Sequence, residues 1–302
     1  MSGIPSFTFV KLSPPADKPI DTVILNGVEC EPYLTSDHRL MLEKGEEILI
    51  GLKLIMKILS AKKGMIGIEA NKPDAIAKMQ ELTKYEPAME VVPLKLRYPQ
   101  GAEKQLIYAA TKRKVPAGGL PLEVGIVVQN VGTAFAIYEA IRYQKPLIQR
   151  VITVTGSPVT KPQNLLARIG TPFSELVDFC GGTKEEVGKV ICGGPMMGFA
   201  LPTLEATVGK GSGGLVLMNT EDARLNEEGN CLRCARCVDV CPMNLVPCMI
   251  VSAVKYDNQK LAVRSGLNDC MKCGACAYVC PAQIRLVQYI DTGKIRYAEA
   301  KK

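Results

Sequence analysis

Two copies of one cysteine pattern constrain this chain more than any other feature. The first places Cys231, Cys234, Cys237 and Cys241 ahead of Pro242; the second places Cys270, Cys273, Cys276 and Cys280 ahead of Pro281. Each is a C-x2-C-x2-C-x3-C-P run, the spacing that holds a cubane [4Fe-4S] cluster. Three thiolates at this spacing wrap one corner of a small cluster. The fourth, expected to start a helix, points away and in two-cluster modules ligates the other cluster. One cluster is therefore assigned to Cys231, Cys234, Cys237 and Cys280, and the other to Cys270, Cys273, Cys276 and Cys241. Zinc favours paired C-x2-C units over a four-cysteine run closed by proline, and disulfides do not call for this spacing. Such a pair of clusters moves electrons singly.

A chain of 302 residues, 47% apolar and 22% charged, suits two or three globular domains. Aromatic residues are 5% with no tryptophan, which argues against a base-stacking nucleic-acid platform. The net charge of +7 comes without a Lys/Arg cluster long enough to act as a nucleic-acid arm, so no nucleic-acid partner is expected. Eight of the 12 cysteines lie in the two runs. Cys30, Cys180, Cys192 and Cys248 read as packed free thiols, and thiols with iron–sulfur clusters suit a reducing cytoplasmic compartment. No signal peptide is read at the start. The apolar stretch Ile48 to Leu59 is interrupted by Lys53 and Lys57 and is too short to span a bilayer.

Upstream of the cysteines the chain alternates strand and helix. After an extended Pro-rich segment from Lys11 to Ile20, strands are expected at 22–25, 65–69, 89–92 and 125–129. Helices are expected from Ser36 and Asp37, as caps, through Leu59, and over 73–84, 101–111 and 132–143. This rhythm predicts a parallel sheet with helices on both faces. It changes near Gln149: strands at 150–155, 187–192 and 214–218, helices near 164–169 and 173–179, and a glycine turn at 193–198 predict a small α+β module. The remainder is helical around the cysteines, over 251–256, 261–265 and 284–290. The domains are accordingly 1–148, 149–219 and 220–302. The fold class is α/β: a parallel-sheet domain with helices on both faces, a small α+β domain and a small helical domain that holds the clusters.

Three loops gather at the C-terminal edge of the expected parallel sheet, where open α/β sheets bind ligands. The first carries Asn26, Glu29 and Glu31; the second Gly101 and Glu103; the third Gln129, Asn130, Gly132 and Thr133. As a local pattern the first also reads as a solvated strand end in which Glu31 caps a helix. Together the loops suit a flat heteroaromatic cofactor with a phosphate. A flavin fits and complements the clusters, because it converts a two-electron hydride into single electrons. His38, beside Asp37, reads as a surface or capping residue, and no catalytic acid or base is assigned.

The stretches LNGVECEPYLTSDHRLML from Leu25, VQNVGT from Val128 and GGPMMGF from Gly193, with the two cysteine runs, resemble the C subunit of the Rnf complex, the ion-translocating ferredoxin:NAD+ oxidoreductase. The first two domains resemble, more distantly, the flavin- and NADH-binding subunit of complex I. The resemblance implies a Rossmann-like FMN domain, an SLBB β-grasp domain at 149–219 and a 2×[4Fe-4S] ferredoxin-like domain. It implies NAD(H) as substrate, other complex subunits as partners including membrane-embedded ones, ferredoxin as an indirect partner, and peripheral attachment at the cytoplasmic face of the membrane. By motif, Lys11, Asn26, Glu29, Tyr98, Gly101, Gln129, Asn130 and Thr133 line the FMN site, and Glu31 and Glu103 lie near the nicotinamide nucleotide.

Several positions depart from the family pattern. Val28 replaces a flavin-contacting carboxylate, Ala102 the first Glu of a Gly-Glu-Glu motif, and Gln129 the first Asn of a pair. The family's glycine-rich loop corresponds to residues 2–8 here, with most glycines replaced and Ser6 where an aromatic is expected, so the start reads as truncated or altered. Two other readings compete with the oxidoreductase subunit. One is a non-enzymatic relay and docking subunit that bears only the clusters; the other is a related cobalamin-reductase or amino-acid-reductase electron donor.

Overall fold

The computed structural model describes residues 8–300; the substituted loop at residues 2–7 lies outside them. The chain divides into two compact units between Ala223 and Arg224.

In the first unit, a short helix α1 (Thr8–Leu12) precedes strand β1 (Thr22–Asn26), helices α2 (Ser36–Glu43) and α3 (Gly45–Leu59), and strand β2 (Lys63–Glu69). Helix α4 (Pro73–Thr83), strand β3 (Met89–Leu94), helix α5 (Glu103–Thr111), strand β4 (Ile126–Asn130) and helix α6 (Val131–Tyr143) complete the pattern. The strands form a parallel sheet in the order β3-β2-β1-β4. Strand side chains alternate between the two faces. Val23, Leu25, Ile66, Ile68 and Val127 pack with Ile48, Leu52 and Ile55 of α3 and Ala134 of α6. Ile24, Met65, Ile126 and Val128 pack with Leu106 and Ile107 of α5. Helices thus cover both faces, as the alternation predicts. Gly51 lets α3 approach α6: a Cβ there would collide with the backbone carbonyl of Ala134.

Three local expectations fail here. The helix expected to run unbroken to Leu59 is two helices, interrupted at Lys44, whose φ of −129° leaves the helical region. Neither Ser36 nor Asp37 caps α2 with its own side chain: the N-cap residue is Thr35, without a side-chain cap bond, and Glu29 supplies the acceptors from outside. The segment expected to be extended from Lys11 instead places Lys11 in α1.

Beyond α6, strands β5 (Gln149–Thr155) and β6 (Gln163–Arg168), helix α7 (Phe173–Phe179), and strands β7 (Val187–Cys192), β8 (Phe199–Leu201) and β9 (Gly214–Asn219) form a second sheet. Its order is β6-β5-β9-β7-β8, with β5–β9 parallel and the other pairs antiparallel. Its core collects Ile152, Val154, Phe173, Leu176, Leu215 and Leu217. The helix expected near 164–169 is strand β6. Leu165 and Ala167 face this core while Leu166 is 63% exposed, an alternation of period two. Pairing with β5 overrides the helical propensity of Leu, Ala and Arg.

The second unit contains α8 (Arg236–Asp239), α9 (Pro247–Lys255), α10 (Gln259–Arg264), α11 (Ala275–Tyr278) and α12 (Leu286–Glu299) around Ile250, Val254, Ala262, Leu267, Ile284 and Ile290. The repeat seen in the cysteine spacing recurs in the backbone. Arg233, Ala235 and Asn244 adopt positive φ in the first copy, as do Lys272, Gly274 and Gln283 at equivalent positions in the second. The expectation that each fourth cysteine starts a helix is corrected: the third, Cys237 or Cys276, lies within a short helix, and Cys241 or Cys280 follows its end. Among the described residues no helix is long and apolar enough to cross a membrane.

Candidate functional site

The three loops chosen from the sequence converge at the C-terminal edge of the parallel sheet because β1 is central and pairs in register with β4, Asn26 opposite Asn130. Asn26 donates from Nδ2 to the carbonyl of Gly101 at 2.8 Å and accepts the amide of Val28 at 3.2 Å, joining the first loop to the second. Asn130 caps α6 by accepting the amide of Gly132 at 2.8 Å, and donates to the Asp37 carboxylate at 2.6 Å. Lys11 donates to the carbonyl of Val128 at 2.8 Å and to the Glu103 carboxylate at 2.6 Å, tying α1 to β4 and the start of α5. Tyr98 and Pro99 are joined by a cis peptide just before Gly101. The Gly101 amide donates to the Cys30 sulfur at 3.3 Å, and Val28 is fully buried in the core beneath.

The two carboxylates of the first loop are both held by backbone amides. Glu29, at φ 47°, accepts the amides of Asp37 at 2.8 Å and His38 at 3.0 Å and the Ser36 hydroxyl at 3.2 Å, supplying the N-terminus of α2 with its acceptors. Burial, reinforced by the neighbouring Asp37 charge, pushes its pKa up to about 7. Burial likewise raises Asp37, against the hydrogen bond from Asn130 and the charge of Arg150. Glu31 accepts the amides of Met197 at 2.8 Å and Met196 at 3.1 Å, so its carboxylate grips the turn between β7 and β8 rather than capping a helix of its own sheet. Burial raises Glu31 despite these bonds. Burial also pushes the Cys30 thiol up to about 11, with Glu69 and Glu31 adding to it, consistent with a packed, unreactive thiol.

The Tyr33–Asp37 stretch binds the second sheet to the first. The Thr35 amide donates to the Thr153 hydroxyl at 3.1 Å, Asn164 donates to the Thr35 hydroxyl at 3.0 Å, and the Ser36 hydroxyl shares its one proton between the Glu29 carboxylate and the carbonyl of Gly213, each at 3.2 Å. Sequence reasoning missed this network because its partners lie more than a hundred positions away. It also missed Lys72, which donates to the carbonyl of Val28 at 2.9 Å from the turn after β2. The available signal was a charged pair, Glu69 and Lys72, at the end of a buried strand.

The residues fit a flavin mononucleotide. Gln129 Nε2 and Thr133 Oγ1 are buried and have no hydrogen-bond partner among the described residues. Both stand at the junction of β4 and α6, an N-terminus that favours anions. An amide donor and a hydroxyl left unsatisfied beside a helix N-terminus match a ligand bearing hydroxyl and phosphate oxygens.

Among the described residues of the second unit, no three His, Cys, Asp or Glu side chains stand close enough together to hold a metal ion. Burial raises the thiol pKa values of Cys270, Cys273 and Cys276, the last to about 12, and in each case Cys241 is among the charges adding to the rise. Cys237 is raised to about 11 by burial and by Cys248, which also hydrogen-bonds with it; Cys231 and Cys234 are exposed and Cys280 is half-buried. Lys294 donates to the carbonyl of Cys270 at 2.7 Å, and Lys272 pairs with Asp291 at 2.6 Å, fixing the second motif to α12.

Comparison with known proteins agrees with this division. Family models match for the Nuo51 FMN-binding domain over residues 1–139, the SLBB domain over 151–200 and a 4Fe-4S dicluster domain over 224–281. The chain is 51% identical over 96% of its length to the C subunit of the proton-translocating ferredoxin:NAD(+) oxidoreductase complex of Clostridium ljungdahlii, covering 64% of that protein. It is 48% identical over 80% of its length to the Na(+)-translocating counterpart of Acetobacterium woodii, covering 54% of it. To the C subunit of the ion-translocating oxidoreductase complex of Rhodobacter capsulatus it is 40% identical over 99% of its length, covering 58%. The chain thus spans between 54% and 64% of these relatives. A crystal structure of an NAD+-reducing [NiFe]-hydrogenase shares the fold at TM-score 0.62 and 16% identity, over 91% of this chain and 57% of that one. With an FMN-binding domain, an SLBB domain and a dicluster domain in that order, and this level of identity, the chain belongs to the family of Rnf-complex C subunits.

Proposed function

We propose that this chain is an electron-transfer subunit of a membrane-bound ferredoxin:NAD+ oxidoreductase, exchanging hydride with NAD(H) at FMN and passing single electrons through two [4Fe-4S] clusters. The observation that carries the flavin half is the pair of buried, unsatisfied polar atoms on Gln129 and Thr133 at the N-terminus of α6. FMN supplies the exchange between a hydride and single electrons, and the clusters supply one-electron conduction. The protein's part is to bind and orient. Asn26, Gly101 and Asn130 fix the loops against each other; Lys11, Glu29, Tyr98, Gln129 and Thr133 complete the flavin lining. Glu103, anchored by Lys11, is placed near the nicotinamide nucleotide, and Glu31 reaches that region only if it yields its bonds to Met196 and Met197. Cys231, Cys234, Cys237 and Cys280 hold one cluster, and Cys270, Cys273, Cys276 and Cys241 the other.

The domain division at 1–148, 149–219 and 220–302, attachment to membrane-embedded subunits at the cytoplasmic face, indirect exchange with ferredoxin, and coupling of the whole complex to ion translocation belong to the same proposal. The relatives' names differ in the translocated ion, and identity to both is similar. A relay subunit that bears only the clusters is the second reading. It is favoured by the carboxylates of Glu29 and Glu31 both being engaged by the protein's own amides. Anaerobic reconstitution separates the two. Stoichiometric FMN that bleaches on adding NADH supports the oxidoreductase, whereas eight irons with no flavin and no response to NADH supports the relay.

A further inference from the structure

Lys72 is a lysine with only 5% of its surface exposed, in the turn from β2 to α4. Taking an ammonium out of water is costly unless its donors are satisfied. Its Nζ donates to the carbonyls of Val28 at 2.9 Å and Glu29 at 3.4 Å and to Asn71 Oδ1 at 3.4 Å, and stands 3.7 Å from Glu69 Oε2. The two carbonyls belong to the loop that carries Asn26 and Glu29, at the point where Glu29 takes a left-handed φ of 47°. A non-glycine residue keeps that conformation only when its surroundings over-determine it. Here Lys72 holds the backbone from one side while the amides of Asp37 and His38 hold the side chain from the other. Glu69 is 1% exposed, and its Oε1 has no hydrogen-bond partner among the described residues, so the pair is an incompletely compensated charge cluster under the loop.

We propose that Lys72, anchored by Glu69, is a positioning residue of the flavin site: its ammonium fixes the Val28–Glu29 carbonyls and places a buried positive charge beneath the loop that favours the reduced, more negative flavin. The flavin half rests on the function proposed above; the positioning half does not. A cation in a low-dielectric interior acts on nearby charge far more strongly than one in water. Glu69, of opposite sign, moderates that effect.

The test compares Lys72→Met, which keeps the length and removes the charge, with Glu69→Gln in the reconstituted chain. Lys72→Met is expected to weaken binding of reduced FMN relative to oxidised FMN by about tenfold. For a two-electron couple this lowers the midpoint potential by about 30 mV. Glu69→Gln is expected to shift the potential in the opposite direction. An unchanged potential in Lys72→Met with FMN still bound overturns the electrostatic role. In the flavin-free chain, hydrogen exchange at the amides of Asp37 and His38, which Glu29 holds, reads the positioning role directly. Exchange about tenfold faster in Lys72→Met supports it, and unchanged exchange overturns it. Should the wild-type chain bind no FMN, the proposed function fails while this exchange experiment still decides the positioning role. Should Lys72→Met fail to fold, the potential shift in Glu69→Gln decides the electrostatic role, and its absence overturns it.

Discussion

Replacing Glu31 by alanine separates a carboxylate that reads a substrate from one that fastens two sheets. Its oxygens accept the Met197 amide at 2.8 Å and the Met196 amide at 3.1 Å. Hydrogen bonds to a charged group are worth about 1.5–3 kcal/mol each, and Glu31 is half-buried, so the lower end applies and the pair contributes about 3 kcal/mol. In a unit of this size that corresponds to a fall of about 6–12 °C in melting temperature. It also corresponds to roughly hundredfold faster exchange of the Met196 and Met197 amides when measured by hydrogen exchange. A double-mutant cycle with Gly194→Ala sharpens the assay, because a Cβ at Gly194 would collide with the Glu31 carboxylate. Alone, Gly194→Ala is expected to cost about 1–3 kcal/mol; on the Glu31→Ala background most of that cost disappears. If Glu31→Ala leaves both the melting temperature and the two amides unchanged, while raising only the KM for NADH, the fastening role is wrong.

Three further outcomes follow from the geometry. The unfolded chain releases the Glu29 proton near the ordinary value of 4.5, while burial and Asp37 hold it in the folded chain up to about 7. The folded state therefore binds the extra proton across that window, and stability falls as pH rises from 4.5 to 7; urea melts of Glu29→Gln should show less of this decline than the wild type. Cys241→Ser, in the reconstituted chain, is expected to damage the cluster held by Cys270, Cys273 and Cys276 and to leave the other cluster's spectrum in place; loss of the other cluster instead would refute the ligand assignment. Gly51→Ala forces a methyl against the Ala134 carbonyl and should destabilise the first unit by about 1–3 kcal/mol in chemical denaturation, a cost absent if α3 and α6 can move apart freely.

The elements best read from sequence were those whose own side chains carry the pattern. The buried aliphatic runs at 22–25 and 65–69 became neighbouring strands, and the cysteine spacing reappears as a matched set of left-handed residues in both copies. Strand β6 was misread because Leu165, Leu166 and Ala167 are good helix formers and only the partner β5 shows that Leu166 must face out. Residues 26 and 130 were legible because they end buried strands, and Gly101 because it sits at the loop that opens α5. The bonds of Glu29 and Glu31 were not, because a carboxylate's preference for backbone amides does not say which amides. Helix α2 is supplied from seven to nine positions upstream, and the β7–β8 turn from far across the sequence. Lys72 escaped notice for a similar reason: its role lies in two carbonyls, which carry no residue-type signature.

The proposed sharing of one cluster by Cys241 with Cys270, Cys273 and Cys276 would close residues 242–269 into a loop at its base, with α9 and α10 inside it. An inorganic bridge across that base would act on the unfolded chain as a cross-link does, and for a loop of this length would remove conformational freedom worth about 3–4 kcal/mol. Oxidative loss of that cluster would then do more than interrupt conduction. It would loosen α9 and α10, whose Ile250 and Val254 are buried in the core of the second unit.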